Sequence, residues 1–182
     1  VLADYRAGAK GLGLLKNSYI NYSATSNFNE REGTVEFWVK PEWNGSDNLA
    51  HVLFDTETAA NFNITKTASN DLTVYAGNPG SVLARSSISG WTSGNWKHVA
   101  VAWNNYTSNV TLHVDGLQVN NSGTAFVIPA GKSFLLGARA PGTSDWANST
   151  FSEFRLSRKA LTAQEINMSF SKGRQFRENE IL

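Results

Sequence analysis

Alternation of apolar and polar side chains with a period of two is the feature that most constrains this chain. In residues 33–41 (Gly-Thr-Val-Glu-Phe-Trp-Val-Lys-Pro), Val35, Phe37 and Val39 alternate with a threonine, a glutamate and a tryptophan. Such alternation is typical of a β-strand with one face in a core, and the proline ends the run. Residues 96–103 become apolar on both faces toward their end, which predicts a central strand covered on both sides.

Similar short runs, rich in β-branched and aromatic residues, recur along the chain. They are residues 51–54, 62–65, 72–75, 81–84, 110–114, 117–119, 134–136 and 151–156. Turn residues separate them, and the pair Asp115-Gly116 is the strongest hairpin signal because both residues suit the positive φ of a type I′ turn. Thr162-Ala-Gln-Glu165 is a capping box that predicts one short C-terminal helix. The pattern favours a single all-β domain, either a sandwich or a barrel.

Four segments, in this order, resemble a known family. They are residues 33–41, 94–103, 112–116 and 151–166, joined by an opening strand in residues 8–13 and 18–20. Together they resemble the laminin-G-like domains of the concanavalin A-like lectin/glucanase superfamily. The resemblance implies a jelly-roll β-sandwich of two antiparallel sheets over residues 1–167, in which residues 151–156 return to pair near the first strand. Residues 168–182 then form a C-terminal extension.

Composition excludes several classes of function. The chain of 182 residues carries 16 Lys+Arg and 15 Asp+Glu, a net charge of +1, and these charges are scattered. This balance predicts no nucleic-acid partner, and the apolar stretches are too short for membrane insertion. Because there is no cysteine, disulfides, thiolate metal sites and a cysteine nucleophile are all excluded.

Asparagine is unusually frequent, with 19 in the chain. Eight of them begin an Asn-x-Ser/Thr sequon, more than twice the number expected from composition: Asn21, Asn44, Asn63, Asn105, Asn109, Asn120, Asn148 and Asn167. The excess favours a secreted, N-glycosylated protein located outside the cell or at its surface. The alternative is an Asn-rich β protein whose turns use Asn beside Ser or Thr.

No motif supports catalysis, so we expect a non-enzyme. Glucanases of the superfamily carry acidic residues alternating on one strand, so that acid and nucleophile face the cleft together. The nearest approach here is Glu30 and Glu32 with Glu36, a set that lacks the aspartate and is interrupted by Gly33-Thr34. We expect Glu36 to pair with a neighbouring cation at a solvated strand entry.

Three tryptophans in polar loops are the candidates for glycan binding, because an aromatic ring can stack on a sugar. They are Trp43, Trp91 and Trp146, with Asp47 and Asp145 as hydrogen-bonding candidates nearby; the alternative role for such rings is to cap an open end of the sandwich. Asp47 and Asp145 are also calcium candidates, although each loop offers a single carboxylate and polar turn residues are the alternative. No cofactor is required.

Two functional hypotheses remain. The first is a self-assembling structural or adhesion subunit that forms a filament or sheath through its sandwich and termini, with Phe176, Ile181 and Leu182 as apolar contacts of an assembly arm. The alternative is a lectin-like carbohydrate-binding module. The partners expected are therefore further copies of the chain or glycans.

Overall fold

The computed structural model describes residues 11–56, 62–76, 81–123, 125–128, 133–139 and 145–178, without the side chains of residues 176–178. Within these ranges the chain forms twelve strands and one helix. They are β1 (Leu12–Leu14), β2 (Ile20–Ser23), β3 (Glu32–Pro41), β4 (His51–Thr56), β5 (Asn63–Lys66), β6 (Asp71–Ala76), β7 (Ser81–Ser87), β8 (Lys97–Asn104), β9 (Asn109–Val114), β10 (Leu117–Ser122), β11 (Ser133–Leu136), β12 (Ser149–Ser157) and α1 (Ala163–Glu178).

The strands form two six-stranded antiparallel sheets, which confirms the predicted all-β jelly-roll sandwich. The first sheet has the order β1-β12-β3-β8-β9-β10 and the second the order β2-β11-β4-β5-β6-β7. Strand β12 lies between β1 and β3, so the last strand does return to pair with the first. Strand β8 lies inside its sheet between β3 and β9, as its two apolar faces predicted.

The core lies between the two sheets and is rich in aromatic rings. Phe37 of β3, Phe54 of β4 and Trp103 of β8 are fully buried there. Trp103 stacks on Phe28 with ring centroids 5.2 Å apart, and its indole N–H donates to the Asn29 carbonyl at 3.0 Å. This hydrogen bond allows the largest side chain of the core to be buried without an unpaired donor.

The outer face of the first sheet is covered by helix α1. The capping box forms as predicted, because the Glu165 amide bonds the Thr162 hydroxyl and the Thr162 amide bonds the Glu165 carboxylate. One turn further, Ile166 is fully buried against Ala100 and Ala102, the alternate side chains of β8. The helix contains 16 residues and passes through position 167 without a break.

The C-terminal extension therefore begins as part of this helix and not as a free arm. Phe170 stacks on Trp38 with centroids 5.5 Å apart, and Ser169 donates to the Glu36 carboxylate at 3.2 Å. The Gly116 turn residue has φ +76, and a β-carbon there would lie 2.7 Å from the Phe170 ring. Ile181 and Leu182 lie outside the described residues, as do the residues before Gly11, and the side chain of Phe176 is not described.

Three polar side chains are buried beneath the helix. Glu36 pairs with Arg155 at 3.4 Å, so the cation partner is confirmed, but the solvated setting is wrong because Glu36 is buried. His98 lies 3.6 Å from the same carboxylate, and His113 is buried nearby on β9. The Nδ1 atoms of both histidines have no hydrogen-bond partner.

In the part of the chain that the structure describes, no helix is long and apolar enough to span a membrane.

Candidate functional site

The segment at residues 145–148 enters β12 at one end of the sandwich, and its irregular backbone is held on every side. Each of its four carbonyls lies within hydrogen-bond distance of another part of the chain. In order from Asp145 to Asn148, the partners are the Val52 amide (2.9 Å), the Nδ1 atom of His51 (3.0 Å), the indole N–H of Trp43 (2.7 Å) and the Glu42 amide (3.1 Å). The Ala147 amide in turn donates to Gly137. We call residues 145–148 the pinned segment.

Two residues of the pinned segment adopt a left-handed conformation that only glycine enters readily. Asp145 has φ +49 and Asn148 has φ +45. Asp and Asn tolerate this region better than other residues, but each such position costs free energy and persists only where the surroundings enforce it. Here the hydrogen bonds to four carbonyls enforce it. The result is an ordered segment whose Asp145 and Trp146 are partly exposed.

A buried charge network supports the pinned segment from below. Asp47 accepts hydrogen bonds from the buried Lys66 ammonium and, at 2.7 Å, from His51 Nε2, whose other ring nitrogen faces the Trp146 carbonyl. Burial alone raises the pKa of Asp47, but the bonds from Lys66, the Leu49 amide and His51 outweigh it and lower this pKa to about 2.

Trp43 and Trp91, predicted as glycan-binding rings, are instead part of this support. Their side chains are only 5% and 8% exposed, and the two rings stack with centroids 6.3 Å apart. Trp43 also lies parallel to the His51 ring at 4.7 Å. The two loops fold inward because the Trp43 indole N–H finds an acceptor in the Ala147 carbonyl. The prediction of an exposed sugar platform is therefore wrong for these two residues, which cap the end of the core.

The half-buried Trp146 differs from them, because it lies at the surface beside other side chains suited to binding. Its ring stacks with Tyr19, which is 41% exposed, at a centroid distance of 6.1 Å and an interplanar angle of 28°. Asp145 accepts from Arg139 Nε at 2.6 Å, and this ion pair is about one-third exposed. We call Tyr19, Arg139, Asp145 and Trp146 the rim site. It combines an aromatic pair, a cation and an anion on a rigid support.

Sequence reasoning missed two members of the rim site, Tyr19 and Arg139. Tyr19 directly precedes β2, and Arg139 follows β11, whose Leu136 pairs with Ile20 of β2. This pairing carries both residues to the end of the sandwich where Trp146 lies. The sequence signal available was the hydrophobic run of residues 134–136 followed by an isolated arginine, which does not by itself distinguish a binding residue from a solvated one.

Neither calcium candidate has an open set of oxygen ligands around it. Both carboxylate oxygens of Asp47 are occupied by Lys66 and His51, and Asp145 is paired with Arg139. Within the described ranges, no group of three or more His, Asp or Glu side chains is placed to hold a metal ion. The carboxylates at this end of the molecule therefore serve cations of the chain itself.

The eight sequons divide by burial. Asn21, Asn44, Asn109 and Asn167 are exposed, while Asn105, Asn120 and Asn148 are half-buried. Asn63 on β5 is only 5% exposed, and its amide oxygen accepts from Thr65 at 2.8 Å. A glycan cannot be accommodated there in the folded protein, so the prediction is wrong for Asn63.

The double-sheet jelly roll is an architecture used by viral capsid proteins, lectin domains and cupins. The family model of the concanavalin A-like lectin/glucanases superfamily, of laminin G type, matches residues 14–167. The chain therefore belongs to this superfamily, as its sequence motifs predicted. No curated protein matches the chain.

Solved structures share the fold at low sequence identity. The NanB sialidase from Streptococcus pneumoniae superposes with a TM-score of 0.70 at 18% identity, covering 87% of this chain and 27% of that one. The binding domain of botulinum neurotoxin DC in complex with SialylT gives 0.69 at 14%, covering 90% and 42%. A botulinum neurotoxin type C structure, whose cell entry depends on two ganglioside molecules, gives 0.70 at 16%, covering 90% and 42%. The chain thus spans less than half the length of each.

Proposed function

We propose that the protein is a non-catalytic, lectin-like carbohydrate-binding module whose ligand lies on the rim site. The observation that carries the proposal is the contrast among the loop tryptophans, of which two are buried as supports and Trp146 is stacked with the exposed Tyr19. Sugar C–H groups stack on such rings, and a few oriented polar groups then fix the orientation of the ligand. Arg139 and Asp145 supply those groups here.

Rigidity supports the proposal as well. A binding site loses less free energy when its side chains are ordered before the ligand arrives. The pinned segment is ordered in this way, since each of its carbonyls is bonded and two of its residues are held at positive φ.

The solved relatives agree with this function without establishing it. One is a botulinum neurotoxin binding domain in complex with SialylT, another is a neurotoxin whose cell entry depends on two ganglioside molecules, and the NanB protein is a sialidase of which the chain covers 27%. Catalysis by the superfamily's paired carboxylates is disfavoured here, because Glu36 is bonded to Arg155 and Ser169 beneath helix α1. These observations support a binding domain over a hydrolase.

The test is retention on an immobilised panel of neutral and acidic oligosaccharides. We expect specific retention of the intact chain, lost in Trp146→Ala and reduced in Tyr19→Ala. Tyr106→Ala is the matched control, since Tyr106 is 72% exposed and lies in the turn between β8 and β9. Absence of retention on every glycan, or equal loss in the Tyr106 variant, would contradict the proposal.

We further propose that the protein acts outside the cell or at its surface as an N-glycoprotein. The support is that seven of the eight sequons lie at exposed or half-buried positions. Peptide mapping of protein from its native source should find glycans at some of these seven and none at Asn63. Unmodified peptides at all eight would contradict the proposal.

Self-assembly into a filament or sheath stays a prediction. Residues 163–175 pack on the sandwich of their own chain through Ile166 and Phe170, so the candidate for the assembly arm is reduced to residues 176–182. Sedimentation velocity over a range of concentrations tests this directly. A concentration-dependent polymer that disappears when residues 176–182 are removed would support the arm, and a monomer at all concentrations would exclude it.

A further inference from the structure

The cation of the rim site has an orientation that an isolated surface arginine lacks. Arg139 donates from Nε to the Asp145 carboxylate at 2.6 Å, and its side chain is 34% exposed. Contact through Nε anchors one edge of the guanidinium group. The Nη end, whose parallel N–H groups bind carboxylates in a bidentate manner, is then directed away from Asp145.

The aspartate that orients Arg139 is itself fixed. Asp145 belongs to the pinned segment, has φ +49 and has its carbonyl bonded to the Val52 amide at 2.9 Å. The next residue along the chain is Trp146, whose ring stacks with Tyr19. The oriented cation and the aromatic pair are thus connected through two adjacent residues of one rigid loop, about 4 Å apart at their α-carbons.

We propose that the rim site selects glycans that end in a carboxylate-bearing sugar. The inference rests on the proposed carbohydrate-binding function and adds the chemical class of its ligand. The Tyr19–Trp146 pair takes the apolar face of the sugar ring, and the Nη groups of Arg139 take its carboxylate. Asp145 contributes as a positioning residue, because it holds the guanidinium group through Nε.

The test uses one oligosaccharide in two forms, the acid and the same molecule with its carboxylate reduced to an alcohol, titrated by calorimetry into the intact chain. A charge-assisted hydrogen bond to a carboxylate contributes about 1.5 to 3 kcal/mol, so the acid should bind about 10- to 100-fold more tightly. Arg139→Gln should remove this difference while retaining weak binding of the alcohol. Arg139→Lys should retain part of this difference in affinity, because lysine keeps the positive charge but lacks the parallel N–H groups of the guanidinium.

Controls separate this inference from the proposed function. Arg158→Gln, at an exposed arginine beyond the end of β12, should leave both affinities unchanged. Asp145→Asn should reduce the acid-to-alcohol ratio and have less effect on the affinity for the alcohol. If acid and alcohol bind equally to the intact chain, or if Arg139→Gln keeps the ratio while its thermal midpoint is normal, the acidic-sugar inference is wrong and the carbohydrate-binding function stands. If neither form nor any other glycan binds, the proposed function itself fails.

Discussion

The rim site and the sheet face beneath helix α1 differ in how their polar groups and their side chains are arranged. At the rim, each backbone carbonyl of the pinned segment is bonded, and the side chains of Trp146 and Tyr19 are left partly exposed. Beneath helix α1, the side chains are buried, and one carboxylate oxygen of Glu36 and the Nδ1 atoms of His98 and His113 have no hydrogen-bond partner. The arrangement at the rim costs conformational free energy in the backbone and leaves side chains accessible to a ligand. The arrangement beneath helix α1 is stabilised by apolar burial, which offsets the free-energy cost of the polar atoms that lack hydrogen bonds.

This contrast predicts that changes in one region should alter ligand affinity, whereas changes in the other should alter stability. A change at the rim should alter ligand affinity, and it should alter stability only where it reaches the buried network of Asp47, His51 and Lys66. A change beneath helix α1 should alter stability and its pH dependence but leave affinity unchanged. Four predictions follow this division, from the largest expected effect to the smallest.

Removing Asp47 should have the largest effect, because it is the carboxylate partner of the fully buried Lys66 ammonium. Loss of one partner of a buried ion pair costs about 3 to 5 kcal/mol. We expect Asp47→Ala to lower the free energy of unfolding by about that amount in urea titrations and to weaken glycan binding, since His51 loses its anchor. Lys159→Met, which breaks the exposed pair with Glu165, is the control and should cost less than about 1 kcal/mol. Equal costs in the two variants would remove the distinction between the buried network and the surface.

Truncating Ile166 tests the other region. Its side chain is fully buried against Ala100 and Ala102, so Ile166→Ala should lower the free energy of unfolding by about 2 to 4 kcal/mol. Glycan affinity of the folded variant should be unchanged, in contrast to Asp47→Ala. A loss of affinity in Ile166→Ala with an intact near-ultraviolet circular dichroism spectrum would couple the two regions and break the comparison.

Acid should destabilise the helix-covered face. Burial, with the nearby His98 as a second cause, lowers the pKa of His113 from 6.5 to about 4. The unfolded chain therefore binds more protons than the folded one between these values, so the contribution of His113 is complete above pH 6.5 and is lost as the pH falls through 4. The loss amounts to at most about 3 kcal/mol. Urea unfolding between pH 7 and pH 4 should show a shallower pH dependence in His113→Gln than in the unaltered chain, and identical slopes would contradict the assignment.

The capping box should have the smallest effect of the four. Thr162→Ala removes the hydroxyl that accepts from the Glu165 amide and should cost about 1 kcal/mol. Thr162→Ser keeps this hydroxyl and should behave like the unaltered chain in thermal unfolding. If both variants are neutral, packing of Ile166 and Phe170 holds the helix without help from its cap.

The fold was predictable because its signals are local. Alternation in residues 33–41, the double-sided apolar run in 96–103 and the Asp115-Gly116 turn each depend on a few neighbouring residues. The turn forms with φ +49 at Asp115 and +76 at Gly116, as a type I′ hairpin requires. The start of helix α1 was predictable in the same way from its capping box. The path of the helix over the sheet was not predictable, because it depends on contacts with Trp38 of β3 and with the turn residue Gly116, both distant from the helix in the sequence.

The site was only partly predictable, because burial of a loop tryptophan is decided by distant partners. Trp43 and Trp146 occupy similar polar loops in the sequence, yet Trp43 finds the Ala147 carbonyl and is buried, while Trp146 finds Tyr19 and remains at the surface. Arg139 was missed for the same reason, since its pairing with Asp145, six residues further along the chain, cannot be predicted from the residue types alone.

A heteronuclear NMR titration with an oligosaccharide retained by the protein tests the central claim most directly. The indole N–H signals of the six tryptophans report separately on the rim, the core and the helix-covered face. We predict that the Trp146 indole and the amides of the pinned segment shift, while the indoles of Trp38 and Trp103 do not. Shifts centred on Trp38 and helix α1, with the pinned segment unchanged, would contradict the assignment of the ligand site to the rim.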